Sequence, residues 1–178
     1  MRLSLSLSGA MICLSVLSAP MQASAGTDIA AQAFQAFYDN CLNPRLVRSD
    51  LDGLTDQGIK VDFYDLNPFS APAITPATGR AATPNTDRRC EIAFDAELGA
   101  DAADVAVEAL QNERIMTQTP LPLTHTNAGL PGTTLLAARK LNPKRIAVVH
   151  TGTRPSDSGI ETFLMVERLT PEASLRHQ

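Results

Sequence analysis

Apolar residues recur along this chain with two different periods. From Thr27 to Cys41, Ala30, Phe34, Phe37 and Cys41 fall at spacings of four, three and four, which predicts a helix whose buried face ends in a cysteine. Thr27 or Asp28 can cap its start. Asn43-Pro44, followed by Leu46, Val47, Leu51 and Leu54, predicts a second short helix that Gly58 closes. Ile59 to Phe63 alternates like an edge strand. Arg88 to Phe94 also alternates, with Cys90, Ile92 and Phe94 on one face. Between 95 and 114 the period lengthens again, and Ala102, Val105, Ala106, Ala109 and Leu110 form the stripe of an alanine-rich helix.

The last third reads as strands. Thr133 to Leu141 is turned by Asn142-Pro143 into a hairpin that forms the folding centre. Its first strand places Ile146, Val148 and His150 on one face and Ala147 and Val149 on the other. The return strand divides Ile160, Thr162, Leu164, Val166 and Arg168 from Phe163 and Met165. Both are apolar on nearly both faces, so the hairpin is expected in the middle of a sheet. Thr151 to Gly159 reads as a long connecting loop. Two proline-rich stretches, 67–87 and 117–132, carry no period, and 171–178 reads as a frayed tail. The expected fold is a single α+β domain over 26–170. It has one mainly antiparallel sheet ending in a three-strand meander, packed by two or three helices.

The first 25 residues stand apart from that pattern. Arg2, an apolar run from Gly9 to Ala19, and Ala23-Ser24-Ala25 have the order of a secretory signal peptide cut after Ala25. The run is shorter than the roughly 20 residues that span a bilayer. Met11 and Ile12 precede Cys13 where a lipidation site wants small residues. A periplasmic or secreted location is expected, with no transmembrane segment. In that oxidising setting Cys41 and Cys90 are expected to pair, closing a loop that stabilises the fold by roughly 4 kcal/mol.

The formal charge of −4 disfavours nucleic acid as a partner. The charge is also unevenly placed: 26–116 holds 7 basic and 15 acidic residues, and 117–178 holds 7 and 4. Halves of opposite sign attract, and we expect that attraction at a solvated surface.

Candidate chemistry is sparse. Asp50 to Asp56 resembles a calcium loop only faintly, because its glycine is fourth rather than sixth and no glutamate follows in place. Three scattered histidines, His125, His150 and His177, give no metal spacing. Neither glycine-x-serine-x-glycine nor serine-x-x-lysine occurs. Thr151-Gly152-Thr153-Arg154 beside His150 is the best candidate for ligand or anion binding: glycine and threonine let backbone N–H groups converge, and Arg154 offers a fork.

Signal peptide, helix ending in Cys41, and Arg89-Cys90 at the start of a strand together resemble small exported bacterial proteins held by one disulfide. The resemblance implies export and the cross-link, and no activity. The sequence therefore favours a non-catalytic exported domain without cofactor, binding an envelope protein or a small ligand through its long loops. The alternatives are a small hydrolase or transferase using His150 and an inhibitor of a secreted enzyme.

Overall fold

In the computed structural model the described residues are 25–69, 74–126 and 131–177; the expected signal-peptide segment 1–24 lies outside them. Helix α1 (Ala25–Asn40) leads through two 3-10 turns, Arg48–Leu51 and Thr55–Gln57, into strand β1 (Lys60–Asp65). Strand β2 (Thr86–Asp95), helix α2 (Gly99–Asn112), strand β3 (Gln118–Thr119) and a single helical turn α3 (Leu123–Thr126) follow. Strands β4 (Thr133–Asn142), β5 (Arg145–Ser156) and β6 (Gly159–Leu169) come next, then helix α4 (Pro171–Arg176). The six strands form one antiparallel sheet in the order β1-β2-β6-β5-β4-β3. This is the expected α+β fold, with the β4-β5-β6 meander in place and β5 and β6 inside the sheet.

One sheet face carries the main core. Phe63, Cys90, Ile92, Phe94, Ala147, Val149, Leu164 and Val166 pack against Ala30, Ala33 and Phe37 of α1 and Ala102, Ala106, Ala109 and Leu110 of α2. The alanines let α2 lie close to the sheet. Gly99 sits where a Cβ would crowd the methyl groups of Thr134 and Thr153. The Cys41–Cys90 disulfide, Cα–Cα 5.3 Å, joins the chain just past α1 to the centre of β2. Arg89 and Glu91 point to the opposite face. Among the described residues no long helix covers that face: charged side chains lie on it, with Arg80, Thr83 and His125 reaching it from the two proline-rich stretches.

Three local expectations are corrected. The second helix breaks into two 3-10 turns because Gly53, at φ +85°, takes a left-handed conformation in its middle; Gly58 ends the second turn at φ +83°. The loop expected at 151–159 is mostly strand: β5 runs to Ser156, β6 starts at Gly159, and only Asp157-Ser158 turns between them. Pro155 is tolerated because β4 stops pairing with β5 at Gly152, which leaves one side of the strand free of a ladder. The tail expected to fray is helical. The Thr170 side chain accepts from the Ala173 N–H, Pro171 opens the helix, and Ala173 joins Ile146, Val148 and Leu169 in a small second core.

Candidate functional site

Alternation decides which charges meet on the face away from the helices. It sends Arg89 and Glu91 from β2, Glu161 and Glu167 from β6, and His150 and Arg154 from β5 to one side. Glu167 is the centre of the arrangement. Its Oε1 accepts from Arg89 Nε (2.8 Å) and from the Thr83 hydroxyl (2.5 Å), and its Oε2 accepts from His125 Nε2 (2.9 Å). Burial alone would raise its pKa, but the hydrogen bonds of His125, Thr83 and Arg89 and the Arg89 charge hold it down to about 2. Thr83 belongs to the first proline-rich stretch and His125 to the second, so one carboxylate fastens both. Arg154 bridges Glu91 and Glu161, each at 2.6 Å. Lys60 reaches Glu161 (2.6 Å) and Asp95 (2.8 Å), and Arg80 pairs with Asp62 and Glu91. Each of these carboxylates has a cation beside it, and Lys60, Arg80, Arg89 and Arg154 are each shared between two of them.

A shallow hollow of about 240 Å³ opens on this face, lined by His125, His150, Arg154, Phe163, Met165 and Glu167 among others. His150 stands edge-on to the Phe163 ring at 4.8 Å, with its Nε2 2.9 Å from the Thr133 hydroxyl. Burial pushes its pKa below the ordinary 6.5, so the imidazole is neutral at pH 7. The structure thus brings His150 and Arg154 together. It separates Thr151 and Thr153 from them: Thr151 Oγ1 lies 3.1 Å from Thr134 Oγ1 on the helix face, and the Thr153 N–H donates to the Gly132 carbonyl. Sequence reading missed Arg89, His125 and Glu167. The signal that could have found two of them is the alternation of Arg89 and Glu167 against the apolar face of their own strands.

A larger cavity, about 620 Å³, lies on the helix side at the other end of the sheet. Its apolar wall is Leu42, Pro44, Phe69, Ile115, Leu141 and Val166, and Cys41 of the disulfide also faces it. Arg88, Arg145, Arg168 and Lys144 line it as well. Arg168 donates to Asp87 (2.7 Å), Asp65 (2.8 Å) and the Asn67 carbonyl (2.8 Å); Arg145 donates to Asp87 (2.5 Å). Arg88 donates from Nη2 to the Asn43 carbonyl (2.8 Å) and lies over the Phe63 ring. Its Nε is 3.8 Å from Asp65 Oδ2, and neither atom has a hydrogen-bond partner among the described residues although both are buried. Burial lowers the Arg88 pKa to about 10. A concavity of this size, with an apolar wall and a few convergent polar groups, has the make-up of a small-molecule site.

Among the described residues no cluster of three His, Cys, Asp or Glu could hold a metal ion, and no helix is long and apolar enough to cross a membrane. No protein-family model, curated protein or solved structure matches this chain.

Proposed function

We propose that this protein is an exported, periplasmic, non-catalytic binding domain that takes a small ligand into the cavity beside the disulfide. The observation that carries this reading is the pairing of an apolar wall with arginines on the floor of one concavity of about 620 Å³. The hollow on the charged face is smaller, about 240 Å³, and most of the charged groups around it are engaged with one another. Export is supported by the order of residues 1–25 and by the Cys41–Cys90 bond.

Native mass spectrometry of protein exported and purified gently tests this reading. We expect a mass that fits cleavage after Ala25 and one closed disulfide, with an additional small molecule retained. That extra mass should be lost in Phe69→Ser, which alters an exposed residue of the wall. A clean chain mass in both proteins counts against the binding reading.

One observation favours a second reading. The neutral imidazole of His150 sits against the Thr133 hydroxyl, which is the contact a general base makes with the group it activates. Turnover of an ester or amide substrate that His150→Ala lowers by about a hundredfold or more would favour this reading over the first.

A further inference from the structure

The floor of the larger cavity holds more positive charge than negative. Asp65 and Asp87, both buried, serve three guanidiniums, those of Arg88, Arg145 and Arg168. Asp87 is taken by Arg168 on one oxygen and Arg145 on the other. Asp65 gives one oxygen to Arg168, while its second stands too far from Arg88 for a hydrogen bond. Arg88 has five N–H donors, and among the described residues one of its nitrogens has an acceptor, the Asn43 carbonyl. Lys144 adds a further cation to the lining, and Glu113, which is exposed, adds an acid. A buried guanidinium short of acceptors is costly, and a ligand that brings one negative charge relieves that cost.

The apolar wall sets the rest of the ligand. Leu42, Ile115, Leu141 and Val166 offer nothing to a sugar or a polar peptide, and Phe69 stands 77% exposed at the cavity. A polyphosphate would need several unmatched cations at the floor. From charge and surface together, we propose that the cavity takes an amphipathic monocarboxylate, its acid group against Arg88 and its apolar body along Leu42, Phe69, Ile115 and Leu141. This deepens the binding reading and rests on it.

The test uses three probes with ten-carbon chains on the mature, oxidised chain at pH 8, each kept below its micelle concentration or solubility limit: decanoate, decanol and decyltrimethylammonium. By isothermal titration we expect decanoate to bind about tenfold or more tighter than decanol, the scale of one charge-assisted hydrogen bond, and the ammonium to bind no better than decanol. Arg88→Met should bring decanoate down to decanol. Because a buried arginine variant can fail to fold, Phe69→Ser is the companion: it should weaken decanoate and decanol by the same factor and keep their ratio. Equal affinity for decanoate and decanol, or preference for the ammonium, overturns the carboxylate assignment and leaves the cavity as a binding site. Binding of none of the three overturns the binding reading itself. A chain that doubles its mass on concentration and then excludes all three gives the cavity to a second copy, which also overturns the proposal.

Discussion

Glu167 is 2% exposed as a side chain and holds three donors on two oxygens, so the loss of its charge would be felt at three places at once. Glu167→Gln should cost about 3–5 kcal/mol, the usual consequence of removing one partner from a buried ion pair, measured by urea unfolding at pH 7. Because Arg89 and Glu167 are central to the sheet while Thr83 and His125 lie in separate stretches, hydrogen exchange should quicken near both 83 and 125 in that variant. The folded carboxyl, at about 2, sits below its ordinary 4.5. Its stabilising effect is therefore complete above pH 4.5 and is lost as pH falls towards 2. Acid unfolding followed by circular dichroism should be less steep over that window in Glu167→Gln. His150 works in the same direction at higher pH: burial lowers its pKa in the folded chain, so the unfolded chain takes up the proton more readily and stability declines as pH drops through 6.5. A histidine titration by NMR should place its midpoint below 6.5. Sequence reading reaches His150 and Arg154 because turn-forming residues cluster beside them. It does not reach the Glu167 site, whose partners Arg89 and His125 are 78 and 42 residues away along the chain. Pairings of that kind are made by sheet order, which no local pattern encodes.

Among the elements, those with a long unbroken period were legible. Helix α2, strands β2 and β6 and the first half of β5, as far as His150, follow from the sequence with the right residues facing the core, because burial imposes the period directly. The misjudged elements were short or carried mixed signals. Helix α4 had a threonine cap, a proline at its first position and Glu172 in its first turn, but its polar composition suggested fraying. What fixes it is tertiary: the Ile146 N–H donates to the buried Ser174 hydroxyl at 3.1 Å. Ser174→Ala leaves that N–H without an acceptor and should cost about 1–3 kcal/mol, with faster exchange at Ile146. The β5–β4 contact is tight at Gly152, where a Cβ would overlap the Gly132 carbonyl oxygen and press on Thr133. Gly152→Ala should destabilise by about 1–3 kcal/mol in thermal or urea melts. The disulfide links α1 to the sheet over a separation of 49 residues. Its reduction should cost about 2–5 kcal/mol, read as the difference between oxidised and reduced unfolding curves.

At the scale of the whole molecule, the uneven charge of the two halves has a structural outcome. Arg145 and Arg168 from the basic half meet Asp87 and Asp65 from the acidic half, and Arg154 meets Glu91. The sequence places that attraction at a solvated surface; in the fold the Arg145 and Arg168 pairs are largely buried. The sheet order has a consequence for the chain's biosynthesis. β2 stands between β1 and β6, so one of its two ladders can form only with the last strand of the sheet. Until that strand has been synthesised, β1-β2 and β3-β4-β5 are two separate antiparallel ribbons that no strand joins, and the surface that α1 and α2 pack on is incomplete. The whole sheet is therefore expected to close late in synthesis, and a chain ended before Gly159 should lack its protection in hydrogen exchange. Late closure would suit the export proposed above, in which a chain passes a narrow pore before it folds.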